Sequence, residues 1–479
     1  MPTESLRNKA LKAVIWNACQ KYGGLIIAFC ANIILARKLS ADDYGLIGLL
    51  TVFISIANSI TESGFSSALI QKKNVTQTDY CTVFLWNIGV SFLLYALLFI
   101  FAPQLGIYFN NPLLGSVLRA QGVIIIINGL CTIQTTRLTK DLDFKALAIR
   151  NLVATCMGSL TGVALVLLDY GVWALVWQAV VNSIVGCILL WYVSKWRPEW
   201  IFNKSSFKGM LKFGSYIFLS GICNTIYINI QSFIIGKVFS VKDLGYYSQA
   251  KRLEQVPVEG TSAVLSQVLF PIYSSIAEDR NRHIQAVRKN IKIITYITFP
   301  MMMLLIVIAH PLIVGLFTEK WEPSVPMFQI ICIVGMFSPV NVANTEIFRS
   351  IGAGLIYFNL QTTKRVVGLI FILASVPFGL YAMLWTIAAM SIVTYMMNLY
   401  CTNKYFGYSY SKQLKDIIPN LILSVAVGVV VALSLHFINI ESNILNIIFG
   451  STLYLCMYMG ISMACHMAAP KLILSFRKR

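Results

Sequence analysis

From end to end the sequence repeats one pattern: an apolar run of about 20 residues, a short break rich in Gly, Pro, Asn or basic residues, then another run. About 20 helical residues at 1.5 Å each cross a hydrocarbon core roughly 30 Å thick. Charged residues make up only 12% of the chain, against about 25% in an ordinary soluble domain, too few to build a water-exposed surface. The bilayer is therefore the solvent for most of this chain.

Marking the runs predicts an all-α polytopic membrane protein of about fourteen transmembrane helices, starting near residues 10, 43, 79, 113, 147, 172, 207, 243, 288, 324, 356, 380, 416 and 444. The breaks at Asp169-Tyr170-Gly171 and Pro377-Phe378-Gly379 are read as helix ends, although such turns also suit a kink within one span.

Lys and Arg number 38 against 19 Asp and Glu, which in a soluble protein would suggest nucleic acid. Here the cations sit in short loops, as the positive-inside rule requires, so nucleic acid is not expected as a partner. With both termini cytoplasmic, one side collects Arg137, Lys140, Lys145, Arg150, Arg288, Lys289, Lys292, Lys364, Arg365 and most other loop cations; the other holds Arg37, Lys38, Lys237, Lys242 and Lys320. Lys21, Arg119, Lys251 and Arg252 are left within spans. The eleven cysteines form no C-x-x-C pair and read as packing residues, and the four histidines lack metal-ligand spacing. The basic N-terminus followed by an apolar run without a small-residue cleavage site reads as an uncleaved first span.

An internal repeat is visible in the letters. Ser40-Ala41-Asp42-Asp43-Tyr44-Gly45 matches Ser240-Val241-Lys242-Asp243-Leu244-Gly245 as S-x-x-D-x-G, with Ser and Asp suited to cap a helix start. Polar residues recur at helical spacing nearby: Asn17, Gln20, Lys21 and Gly24 in the first span, Ser220, Asn224, Tyr227 and Gln231 in the seventh. The second and eighth spans repeat this with Thr51, Ser55, Ser59, Glu62, Ser66 and with Arg252, Gln255, Glu259, Ser262, Ser266. Lipid tolerates such stripes only where they face protein or a water-filled cavity. The expected organisation is two parallel six-helix lobes, residues 1–205 and 206–405, then two helices and a basic tail over 406–479.

With Ser63-Gly64-Phe65-Ser66-Ser67-Ala68-Leu69-Ile70-Gln71, Tyr170-Gly171-Val172-Trp173, Ser194-Lys195-Trp196-Arg197-Pro198, Leu244-Gly245-Tyr246-Tyr247-Ser248 and Val268-Leu269-Phe270-Pro271 added, nearly the whole chain resembles the Wzx-type polysaccharide flippases of the multidrug/oligosaccharidyl-lipid/polysaccharide exporter superfamily, near the colanic-acid and teichuronic-acid exporters. The resemblance implies alternating-access export of an undecaprenyl-diphosphate-linked oligosaccharide across a bacterial inner membrane for surface polysaccharide synthesis. It implies a Na⁺ or H⁺ gradient as drive rather than a bound cofactor, and polysaccharide polymerase and chain-length machinery as partners beside the phospholipid bilayer. It also implies substrate binding by cavity cations.

Among intramembrane charges Lys21 is the first candidate for the diphosphate, roughly 16 Å deep by helical rise, with a structural pairing to Glu62 or Glu259 as the alternative reading. Lys251, Arg252 and Arg119 are further cavity candidates, Arg119 lying near enough to a boundary to snorkel. Asn17, Gln20, Asn224 and Gln231 complete the expected binding set, and Glu62, Glu254 and Glu259 are the expected ion-coupling residues. No metal site or catalytic residue is expected; Asp141-Leu142-Asp143 reads as a solvated loop. A multidrug or organic-cation antiporter is the competing transport reading, disfavoured because a cationic ligand would select buried carboxylates and aromatic faces. A membrane enzyme is disfavoured by external loops too short to frame a site.

Overall fold

The computed structural model describes residues 6–62, 64–276, 278–438 and 441–465, with backbone alone for residues 6–15, 17–18, 212–213, 216, 259–268, 270–272 and 275. The helices are α1 Leu6–Lys38, α2 Ala41–Glu62, α3 Phe65–Gln71, α4 Gln77–Tyr108, α5 Pro112–Lys140, α6 Phe144–Leu167, α7 Trp173–Ser194 and α8 Lys204–Ile234. They continue with α9 Val241–Ser275, α10 Arg280–Val307, α11 Ala309–Phe317, α12 Ser324–Ser350, α13 Gly354–Ser375, α14 Leu380–Cys401, α15 Tyr410–Ile438 and α16 Asn443–Ala464. No strand occurs among the described residues. Among the described residues, twelve helical stretches are long and apolar enough to cross a bilayer. α9, with 35 residues, and α13, with 22, have the length but more polar faces, and with them the set is consistent with fourteen spans.

Most helix starts fall where the apolar runs place them. α10 is the largest departure, beginning at Arg280 rather than near 288, because Asp279 caps it: its Oδ1 accepts from the Arg282 N–H at 3.0 Å. The second span is also not one helix. α2 stops at Glu62 and α3 restarts after Gly64, whose φ of 69° is a left-handed conformation and whose added Cβ would lie 2.4 Å from the Gly214 carbonyl oxygen of α8. Only glycine meets both demands. α3 is then held by Phe65 and Leu69 against Phe84, Trp196 and Met210.

Packing divides the chain into two units, residues 1–248 and 249–479. In the first, α4 runs along α5, α6 along α7, and α1 along α6. The two S-x-x-D-x-G copies meet here. Each is a capped helix start: the Asp43 N–H donates to Ser40 Oγ at 3.3 Å and the Ser40 N–H to Asp43 Oδ2 at 2.9 Å, while the Asp243 N–H donates to Ser240 Oγ at 2.9 Å. A Cβ on Gly45 would lie 1.7 Å from the Val241 carbonyl oxygen, and one on Gly245 1.8 Å from that of Ala41. Such reciprocity is what a two-fold relation between equivalent elements produces.

In the second unit α10 packs along α12 and α15, and α12 along α14. Asp416 of α15, 4% exposed, is clamped by Arg288 at 2.7 and 3.0 Å, by Lys292 at 3.1 Å and by the Tyr408 hydroxyl at 2.7 Å. Burial and that hydrogen bond push the Tyr408 hydroxyl far above its ordinary range, so it stays a donor. Arg288 and Lys292, expected among loop cations, are thus helix-borne anchors between α10 and α15.

Candidate functional site

The break between α2 and α3 opens one side of a polar cleft of about 390 Å³ in the first unit. α5 supplies the opposite wall. Thr132, Thr135, Thr136 and Thr139 recur there at i, i+3, i+4 and i+7, which places them on one helical face. Each hydroxyl donates back to its own helix: Thr132 to Asn128 O at 2.9 Å, Thr135 to Cys131 O at 3.1 Å, Thr136 to Thr132 O and Thr139 to Thr135 O at 2.8 Å. With its proton committed, each threonine offers the cleft lone pairs, so the wall is a row of hydrogen-bond acceptors. Asn128 Nδ2 donates to Asn58 Oδ1 at 3.2 Å and ties this wall to α2. Ser66 Oγ of α3 also lines the cleft, buried and without a hydrogen-bond partner.

Two charges complete the lining: Glu62 at the end of α2 and Arg150 in the second turn of α6. Among the described residues neither forms an ion pair. Arg150 is oriented by neutral groups, its Nε donating to Gly186 O at 3.1 Å and its Nη1 to Asn151 Oδ1 at 2.5 Å. The remaining guanidinium N–H groups are left for a ligand. A carboxylate, a guanidinium and a row of acceptors suit a polyhydroxylated anion: hydroxyls donate to Glu62 and the threonines, and an acidic oxygen accepts from Arg150.

Of the expected binding and coupling residues whose side chains are described, Glu62 is the one that lines this cleft, joined by Ser66 from the same polar stripe. Lys21 and Gln20 are half-buried on α1, outside its lining. Arg119 of α5 is held against α4, its Nε donating to Phe99 O at 3.0 Å and its guanidinium 4.4 Å over the Phe99 ring. Asn224 is half-buried on α8, and Gln231 accepts from the Tyr247 hydroxyl at 2.9 Å. The polar stripe of α2 does turn inward, Ser59 accepting from Thr225 of α8 at 3.2 Å. In the second unit Lys251 is half-buried, Arg252 exposed, and Glu254 buried where its Oε1 would lie 2.6 Å from a Cβ on Gly335. The side chains of Asn17 and Glu259 lie outside the described residues.

Beside Arg288 and Lys292, three further cations assigned to loops by the charge pattern belong elsewhere. Arg150 lies inside α6, because Asp143 caps that helix from outside, accepting from the Ala146 N–H at 3.1 Å and starting it at Phe144. The same bond accounts for the second aspartate of Asp141-Leu142-Asp143 as a cap. Lys140 ends α5 with its Nζ on the carbonyls of Leu69 and Lys72, at 2.9 and 2.5 Å, where it closes α3. Lys364 is ten residues beyond the start of α13, 6% exposed, and donates to Asn398 Oδ1 at 2.5 Å, with Asn398 in turn donating to Asn341 Oδ1 at 2.7 Å. The Thr132–Thr139 spacing was available in the sequence as a polar stripe; the burial of Lys364 and the neutral partners of Arg150 depended on which faces of α13 and α6 their neighbours cover.

Residues 34–326 match the family model described as "Polysaccharide biosynthesis protein". The chain is 25% identical to the succinoglycan biosynthesis transport protein ExoT of Rhizobium meliloti, over 72% of this chain and 69% of that one. It is 23% identical to the lipopolysaccharide biosynthesis protein WzxC of Escherichia coli over 70% and 69% of the two chains. With the teichuronic acid biosynthesis protein TuaB of Bacillus subtilis the identity is 22% over 89% of each. Among solved structures, the fold is similar to the lipid II flippase MurJ in an inward closed conformation, with a TM-score of 0.76 at 15% identity over 94% of this chain and 99% of that one. An inward-facing multidrug transporter of the MATE family is similar with a TM-score of 0.63 at 15% identity, over 81% and 94%.

Proposed function

Because this chain belongs to the polysaccharide biosynthesis protein family, we propose that it is a flippase carrying a lipid-linked oligosaccharide from one leaflet of the membrane to the other. The observation that carries this reading is the cleft, where an acceptor row stands beside an unpaired Glu62 and an unpaired Arg150 inside an apolar helix bundle. Intramembrane charge is costly and persists where it meets a polar ligand. Sugar hydroxyls and an acidic group, whether a carrier phosphate or a uronic acid, offset both charges together. The finer reading takes undecaprenyl diphosphate as the carrier, a bacterial inner membrane as the location, cytoplasmic termini, and transport with no catalytic step. An organic-cation antiporter is the weaker alternative: among the described residues the cleft lining holds no aromatic ring and includes a guanidinium.

Proteoliposomes loaded with a fluorescent lipid-linked oligosaccharide test it. Leaflet exchange accelerated by the protein and competed by free lipid-linked glycan is expected, whereas exchange that ignores the glycan, or efflux of an organic cation in its place, overturns the reading.

A further inference from the structure

In the second unit, α13 and α14 leave between them a groove of about 630 Å³. Its walls are mainly apolar, formed by Leu355, Ile356 and Leu360 of α13 and by Val393, Met396 and Met397 of α14, with Asn359 and Thr363 of α13 among them. Met side chains adapt to a flexible guest. Along α13 the lining runs from Leu355 to Thr363, about 12 Å at 1.5 Å per residue, so the groove is less than half as deep as a hydrocarbon core of roughly 30 Å. It occupies the depth of one leaflet.

One end of the groove is polar. Tyr400 and Tyr405 line it there, and exposed Lys404 between them sets its Nζ 3.4 Å from the Tyr400 hydroxyl and 5.6 and 5.3 Å from the two ring centroids. Lys404 and Tyr405 lie on a π-helical turn, Thr402–Phe406, that is pinned from two sides: Gln413 Nε2 donates to Thr402 Oγ1 at 2.7 Å, and Arg280 Nε donates to Phe406 O at 3.0 Å. A second cation therefore adjoins the same turn. Tyrosine and lysine together mark the depth of lipid headgroups.

We propose that this groove binds one acyl chain of an anionic phospholipid from the leaflet at that face, with the lipid phosphate against Lys404. The one-leaflet depth fits an acyl chain rather than a long polyprenyl carrier, and the fixed positive charge at the mouth selects an anionic headgroup. The site is separate from the cleft of the first unit and does not depend on what that cleft transports.

Native mass spectrometry of the detergent-purified full-length protein tests this with phosphatidylglycerol and phosphatidylcholine of identical chains. The wild type should retain one phosphatidylglycerol with a preference of about tenfold over phosphatidylcholine. Lys404→Glu, at an exposed position, should melt like the wild type and lose that preference, and Met397→Trp, which fills the groove, should lose both lipids. Equal retention of the two lipids by the wild type, an unchanged preference in Lys404→Glu, or displacement of phosphatidylglycerol by equimolar undecaprenyl phosphate would each overturn the assignment.

Discussion

Arg150 illustrates how much a single side chain's depth changes its meaning. In a loop it would orient the protein in the membrane; in α6, held by the Gly186 carbonyl and Asn151, it is an unpaired guanidinium facing a polar cleft. Losing one charge-assisted bond to a ligand costs about 1.5–3 kcal/mol, so Arg150→Gln and Glu62→Gln should each lower glycolipid exchange by about tenfold or more at equal protein level, while Arg150→Lys retains part of it. Flux in proteoliposomes checks this, and unchanged flux in Arg150→Gln would remove that residue from the site. Lys21, the candidate chosen from sequence, has its own test: Lys21→Arg keeps export and Lys21→Gln loses most of it if a charge at that depth meets the diphosphate. Asp416 belongs to stability. Cutting it to Asn leaves Arg288 and Lys292 without their counter-charge, at about 3 kcal/mol, the low end for a buried pair because Arg288 is a third exposed. Thermal unfolding in detergent should fall by several degrees.

At the scale of elements, the features that matter are a broken helix and a crossing. Gly64 turns the second span beside the cleft, between the lining residues Glu62 and Ser66, and Gly64→Ala meets both a strained φ and the Gly214 carbonyl. Gly45 and Gly245 let the starts of α2 and α9 touch backbone to backbone, as small residues do where membrane helices approach closely. Alanine at any of the three should destabilise by about 1–3 kcal/mol. Gly24→Ala, where a Cβ would meet nothing within 4 Å, is the control and should melt like the wild type. Fluorescence-detected melting curves of the four variants decide it, and equal loss in the control would show that the assay reads membrane extraction instead of packing. The caps that start α2 and α9 were legible because Ser and Asp three residues apart satisfy local N–H groups. The α2–α3 break was not, since Gly64 in an apolar run reads equally as packing or as a turn.

For the whole molecule, the charge distribution predicts a topology. Cysteine at Asn110, in the turn between α4 and α5, should label from outside, and cysteines at Lys204 and Arg282 from the cytoplasm; Asn110→Cys labelling only from the cytoplasm would reverse the orientation. Moving Arg150, Lys364, Arg288 and Lys292 into helices thins the cytoplasmic set without enlarging the opposite one, so the bias survives. What the sequence by itself determined is whatever lipid imposes on each segment separately: helical spans, their approximate ends, caps, and a repeat between halves. These follow from satisfying every backbone group inside the segment, a condition written in the local letters. Only the tertiary structure decided which charges are unpaired, that Glu62 meets a threonine wall and Arg150, and that Lys364 is buried against Asn398. Those outcomes depend on which face of each helix its neighbours cover. A shift of one residue turns a side chain by about 100°, more than the uncertainty of any boundary read from an apolar run can resolve.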